Sequence, residues 1–157
     1  FHGAGGEVGH ANINHEETEA CNCGNRGCLE QYTSATGIVR VAKKMLAATD
    51  EASTLRDADP LTAKDVLDAM KAGDALAVKI MDEVGEQLGG ALAVFAAVVD
   101  PEAIVIGGGV SKAGQPLLDC IEKHYKKYAF SLCKDTPITI ATLGNDAGIY
   151  GAAKMVL

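Results

Sequence analysis

Three thiols and one imidazole fall close together near the start of the chain. Cys21, Cys23 and Cys28 lie within eight residues and His10 precedes them, in the order H-x10-C-x-C-x4-C. Soft thiolate sulfur combined with an imidazole nitrogen is the donor set of a structural zinc site. Such a site is tetrahedral, has Zn–S bonds of about 2.3 Å and keeps no open position for chemistry. Gly24 and Gly27 supply the turns between the ligands. The competing reading is ordinary reduced cysteines beside a surface histidine; the spacing and the glycines favour metal. Glu7 and Glu30 bracket the ligands, so whatever gathers the donors also gathers these two carboxylates.

Glu7 and His10 are three residues apart, on opposite faces of a flat strand, but Gly9 lets the backbone bend. Zinc on one nitrogen of His10 leaves the other free to hydrogen-bond outward. Glu30, two residues past Cys28, falls in the first turn of an expected helix, where the positive helix end favours an ionised carboxylate. Two carboxylates and an imidazole edge, rich in acceptors, suit a polyhydroxylated ligand such as a sugar. The plainer alternative is that Glu30 only stabilises the helix start and Glu7 is solvated.

A second candidate is Val-Ile-Gly-Gly-Gly-Val-Ser at 105–111, after a short apolar run. Backbone N–H groups in such a turn can face a phosphate or nucleotide. It is neither a Walker A loop, since no Gly-Lys-[Ser/Thr] follows at the required spacing, nor G-x-G-x-x-G, since Lys112 stands where the third glycine belongs. A tight strand-to-helix turn explains the same glycines.

These residues need elements to hold them. Val8 to Asn14 alternates loosely and reads as a short strand, and His15 to Ala20 as an acidic loop. A helix is expected to start at Cys28, to be interrupted at Gly37 and to continue over Ile38 to Ala48. Thr49 to Pro60 reads as a loop. Thr62 with Asp65 approximates a capping box for a helix to about Ala72, ended by Gly73. Asp74 caps the longest helix, to about Val99, with Met81, Val84, Leu88, Leu92, Phe95 and Val99 as its buried stripe. Gly85, Gly89 and Gly90 within it cost roughly 1 kcal/mol each against Ala, so close packing on another backbone is expected, within the core rather than across an interface, with a kink as the plainer alternative. Ala103 to Ile106 and Pro137 to Leu143 read as strands, the first in a sheet covered on both faces. Gln115 to Lys127 and Asp146 to Val156 read as helices. Strand–helix alternation in the second half indicates an α/β layer architecture.

Composition narrows the class. The chain has 157 residues, 48% apolar and 22% charged, a globular balance able to bury one core. A net charge of −7 argues against a broad nucleic-acid surface, and no apolar run approaches the roughly 20 residues of a membrane span. The odd cysteine count speaks against an extracellular disulfide framework and for a reducing, cytoplasmic setting. Cys120 and Cys133 stand alone. The chain starts at Phe1 inside a glycine-rich turn, which suggests a piece of a longer polypeptide.

Gly-Gly-Glu-Val-Gly-His followed by Cys-Asn-Cys-Gly-Asn-Arg-Gly-Cys-Leu-Glu resembles the signature of the ROK family (repressors, open reading frames and sugar kinases). Val-Ile-Gly-Gly-Gly-Val-Ser and Leu-Gly-Asn-Asp-Ala-Gly-Ile-Tyr-Gly-Ala-Ala resemble its later landmarks, so the likeness runs from Gly3 to Ala153. It is closest to the family's bacterial glucokinase branch.

The resemblance implies an α/β, actin-like (RNase H-like) ATPase fold of two lobes, with residues 1–157 as the C-terminal lobe carrying an inserted zinc-binding knuckle. It implies His10, Cys21, Cys23 and Cys28 as zinc ligands and Glu7, His10 and Glu30 as contacts to sugar hydroxyls. Gly107, Gly108 and Gly109 would lie near ATP, with the Gly144–Gly148 turn beside the nucleotide pocket. The implied reaction is ATP- and Mg-dependent phosphorylation of a hexose, glucose first, with N-acetylmannosamine or fructose as other sugars. The family's Asp-x-Gly-Gly-Thr phosphate loop and Asn-Asp-x-Asn base motif do not occur in this chain, so no catalytic residue is assigned and the chain alone is expected to be inactive. A homodimer without membrane or nucleic-acid partners is expected. The alternatives are a sugar-responsive repressor of the same family and a zinc-knuckle interaction module without a sugar site.

Overall fold

The computed structural model describes residues 3–156, so Phe1 and His2 of the glycine-rich opening lie outside it, as does Leu157. The regular helices are α1 (Glu30–Thr33), α2 (Ala35–Ala48), α3 (Ala63–Lys71), α4 (Ala75–Val99), α5 (Gln115–Tyr128) and α6 (Ala147–Lys154). The strands are β1 (Ile104–Ile106) and β2 (Ile138–Ile140), paired in parallel with Ile104 opposite Ile138 and Ile106 opposite Ile140. β1, α5 and β2 form one βαβ unit, as the alternation of elements predicts.

The helix boundaries follow from side-chain caps. Thr62 accepts from the Asp65 N–H while the Asp65 carboxylate accepts from the Thr62 N–H, so Asp completes the capping box as Glu would. Gly73, at φ +84°, ends α3. Asp74 then accepts from the N–H groups of Leu76 and Ala77 and starts α4. The expected strand over Val8 to Asn14 does not form. Val8–His10 is a 3-10 turn, and only an isolated antiparallel bridge, Asn12 to Cys28, represents strand pairing there. The first helix also breaks at Ser34 rather than Gly37, because the Ser34 hydroxyl accepts the Gly37 N–H and opens a new helix. Gly37 lies inside α2, where a Cβ would meet the Glu30 carbonyl oxygen at 2.5 Å. The absent methyl lets α2 seat directly on the backbone of α1.

The core gathers around α4. Leu76, Ala77, Ile80, Met81 and Val84 are buried against Ile38, Val66, Ile121 and Tyr125 from the neighbouring helices. The expected stripe holds at Met81 and Val84 and fades along the helix: Leu88, Leu92 and Phe95 are half-buried, and Val99 is exposed. Small residues, Ala91, Ala93 and Ala96, take the buried positions instead. The sheet is not covered on both faces among the described residues, since Val105 is exposed.

The helical glycines divide into two kinds. A Cβ at Gly85 would lie 2.6 Å from the Cys120 carbonyl oxygen, and one at Gly89 2.7 Å from both the Ile121 carbonyl oxygen and the Tyr125 nitrogen. α4 and α5 therefore touch backbone to backbone, inside the core as expected. Gly90 meets only the edge of the Tyr128 ring, at 3.7 Å. Gly89→Ala should destabilise the complete polypeptide by about 1–3 kcal/mol by overpacking, despite its better helix propensity. Gly90→Ala should be neutral or stabilising by up to about 1 kcal/mol. Urea unfolding of the two variants checks this, and equal effects would exclude the backbone contact as the cause.

Candidate functional site

The knuckle is built by turns and short bridges. Cys21 N–H donates to the Asn25 carbonyl and Gly24 N–H to the Cys21 carbonyl, folding the Cys21–Cys23 arm back on itself. The Ala20–Arg26 and Asn12–Cys28 bridges close its base. Gly27, at φ +71°, sits so close to the Asn14 carbonyl oxygen that a Cβ would clash with it outright. The result brings one donor atom from each of His10, Cys21, Cys23 and Cys28 to within 4.8 Å of the others.

The distances suit a tetrahedral zinc ion. Cys23 and Cys28 sulfurs are 3.6 Å apart, against about 3.8 Å for two sulfurs on a tetrahedral ion with Zn–S bonds of about 2.3 Å. His10 Nδ1 lies 3.9 Å from Cys21 Sγ. With Nδ1 turned to the cluster, Nε2 is left for an outward hydrogen bond. The thiols differ electrostatically. A Cys23 N–H favours the Cys21 thiolate, but the Glu30 carboxylate 2.9 Å away and partial burial push Cys21 up to about 12. The Asn25 N–H draws Cys23 below its ordinary value, and burial raises Cys28. A bound cation would overturn the upward shifts, because a coordinating thiol is deprotonated outright.

Glu30 opens α1 and its carboxylate lies 3.7 Å from His10 Nδ1. The structure thus joins His10 and Glu30. Glu7 precedes the 3-10 turn, which sits against α1 at Gly9, where a Cβ would lie 3.8 Å from the Glu30 Cβ. The Glu7 carboxylate is exposed and makes no ion pair among the described residues.

Gly107, Gly108 and Gly109 follow β1, with Gly108 at φ +81°. They lead into a 3-10 turn, Gly109–Ala113, before α5, and the Ser111 hydroxyl donates to the Gly108 carbonyl at 2.7 Å. The Gly144–Asp146 turn follows β2. Both turns therefore lie beyond the carboxyl ends of parallel strands, where ligands of α/β sheets gather. Three concave regions with partly shared linings lie between this place and the knuckle. One is lined by Cys21, Glu30 and Ser34. The next, about 380 Å³, has Ser34 and Ala35 on one wall and Gly107, Gly108 and Gly109 on the other. The third, about 360 Å³, shares Ala35 and Gly109 and adds Leu67, Lys71 and Lys112.

Sequence reasoning missed the residues that pin the acidic loop. Glu17 has a nearly buried carboxylate, 4% exposed, paired with Arg40 and accepting from the Tyr32 hydroxyl at 2.6 Å. Burial opposes its ionisation, but the Tyr32 hydroxyl, the Glu19 N–H and Arg40 prevail and hold it at about 2. The available signal was charge: Glu17 and Glu19 face Arg40 and Lys44, four apart on one face of α2.

The sequence model of the ROK family matches residues 1–157, and the chain belongs to that family. It is 46% identical to a glucokinase of Halalkalibacterium halodurans, over 98% of this chain and 48% of that protein. It is 28% identical to a xylose repressor of Caldicellulosiruptor bescii, over 99% of this chain and 39% of the repressor. The crystal structure of a ROK family glucokinase from Streptomyces griseus in complex with glucose and AMPPNP superposes with a TM-score of 0.83. That match has 33% identity and covers 95% of this chain and 50% of that one. The chain spans about half the length of the glucokinases it matches.

Cys23→Ser should abolish stoichiometric zinc in the purified complete polypeptide and lower its thermal unfolding midpoint, because metal binding is coupled to folding. Cys120→Ser should leave both unchanged. Metal analysis with thermal unfolding distinguishes the two; zinc retained at full stoichiometry by Cys23→Ser would remove that thiol from the ligand set.

Proposed function

We propose that this chain is the C-terminal lobe of an ATP-dependent hexose kinase whose substrate is glucose. The observation that carries the reading is the series of three neighbouring concave regions, sharing Ser34, Ala35 and Gly109 in their linings, from Glu30 to the Gly107–Gly109 turn. A sugar held at one end and a nucleotide at the other would have their reacting groups aligned along it, which is catalysis by proximity.

In this reading His10, Cys21, Cys23 and Cys28 hold a structural zinc ion, and the knuckle is scaffolding. Zinc supplies no chemistry to the sugar; it fixes the ring of His10, whose Nε2 then meets a sugar hydroxyl. Glu30 and Glu7 accept hydrogen bonds from further hydroxyls, and being charged they bind more strongly than neutral acceptors. Gly107, Gly108 and Gly109 allow close backbone approach to the nucleotide. A carboxylate of the other lobe would take the proton of the sugar hydroxyl as it attacks the γ-phosphate. Magnesium, when bound with ATP, spreads the phosphate charge. A cytoplasmic homodimer belongs to the same proposal.

The likeness to a repressor supports a second reading, a sugar-sensing regulator, which would bind operator DNA through a segment beyond this chain. The higher identity to glucokinase favours the kinase.

In the complete enzyme Glu30→Gln should raise the KM for glucose about 10- to 100-fold, the cost of one charged hydrogen bond of about 1.5–3 kcal/mol. The KM for ATP should change little. Unchanged glucose binding in Glu30→Gln and Glu7→Gln would leave the knuckle as an interaction module instead. Residues 1–157 alone should show no glucose-dependent ATP turnover in a coupled assay; turnover above background would place a base within this lobe.

A further inference from the structure

The chain between His10 and Cys21 forms a strap whose conformation is set by charge. Glu17, at its middle, accepts from its own following N–H groups, Thr18 and Glu19, at 3.0 Å each. Its other oxygen takes the Tyr32 hydroxyl and the Arg40 guanidinium. Asn14, nearer His10, donates to the same Tyr32 hydroxyl at 2.8 Å. Arg40 stacks over the Tyr32 ring, 5.3 Å from its centre, and donates to Glu19 at 2.7 Å and to the Gln31 carbonyl at 3.3 Å. Gln31 completes the circuit: its amide donates to the Glu19 carbonyl at 3.1 Å and its oxygen accepts the Cys28 N–H at 3.0 Å. One network thus reaches the backbone of Cys28 and, through the Glu19 carbonyl, the chain two residues before Cys21.

We propose that Arg40 and Glu17 are positioning residues for the metal centre, their ion pair holding the strap in the conformation in which His10 and Cys21 meet Cys23 and Cys28. The inference rests on the zinc reading of those four residues. Burying a carboxylate and a guanidinium carries a desolvation cost that an exposed loop would avoid. The pair therefore returns something other than burial. Ordering a loose strap costs about 1–2 kcal/mol per residue, and without the pair that cost falls on metal binding. Neither Arg40 nor Glu17 is a metal donor, so removing them changes how readily the site closes and not what it is made of.

The test uses the complete polypeptide, stripped of metal by chelation and titrated with Co²⁺, whose bands report tetrahedral thiolate coordination, then competed with Zn²⁺. Arg40→Met and Glu17→Gln should each weaken the dissociation constant about tenfold or more, in the range seen when outer partners of ligands are lost. The bands should keep their positions, because the donors are unchanged. The double variant should be little worse than either single one, since both remove one interaction. Arg40→Lys, one cation facing two carboxylates without the guanidinium fork, should fall between, and it carries the test if Arg40→Met does not fold. Failure of the parent protein to bind Co²⁺ would overturn the zinc reading. Binding by the parent and, within about twofold, by both single variants would overturn this inference alone.

Discussion

The backbone contact between α4 and α5 is the constraint on which the rest of the fold depends. Gly85 and Gly89 are one turn apart on α4, and the α5 carbonyls of Cys120 and Ile121 lie where their side chains would be. At that separation Ile80, Met81 and Val84 join Ile121 and Tyr125 in one buried cluster. α5 is the crossover between β1 and β2, so its position also sets where the two strands end. Those ends carry the Gly107–Gly109 and Gly144–Asp146 turns. Two missing methyl groups on one helix thus decide where a glycine turn two elements away faces. Gly37 repeats the device at the α1–α2 junction, holding the helix that presents Glu30.

The knuckle is held by a different kind of force. Apart from Cys21, Gly27, Cys28 and Leu29, residues 10–29 are half-buried or exposed, and Ile13 is the strap residue that packs against the edge of the main core. Its shape comes from turns, two isolated bridges and the Glu17–Tyr32–Arg40 network. The helical part of the chain would tolerate changes of charge and resist changes of volume. For the knuckle the order reverses, because buried polar networks are costly once partly broken.

This difference explains what could be read from the sequence. Helix limits set by nearest neighbours were legible: Thr62 with Asp65, Gly73, and Asp74 each act within three residues of their own position. The four donors were legible because their spacing carries the chemistry. The strand expected over Val8 to Asn14 was not there, because a short alternation competes with the bend that Gly9 permits and the pull of Glu30 and Cys28 on either side. The break at Ser34 turned on a hydroxyl capping a helix, which outweighed the more visible glycine at 37. The strap network was harder to read: Glu17 and Arg40 are 23 residues apart, and the pairing of Glu17 and Glu19 with Arg40 and Lys44 shows only as complementary charge, which does not fix a contact at that separation.

Charge is unevenly spread over the three concave regions. The net charge is −7, yet the cavity beyond Gly109 is bordered by Lys64, Lys71 and Lys112. Lys64 is engaged with Asp68; Lys71 and Lys112 make no ion pair among the described residues. The remaining lining is mostly apolar, Ala35, Ala63, Leu67, Val110 and Ala113, with Gly109, the Thr62 hydroxyl and the Asp68 carboxylate among it. Apolar walls suit a stacked or buried ring, and cations at the rim suit phosphate, whereas the Glu30 end of the series offers acceptors and repels phosphate. In the kinase reading this asymmetry orients the two substrates before any closure of the lobes, because each end of the series disfavours the other's ligand.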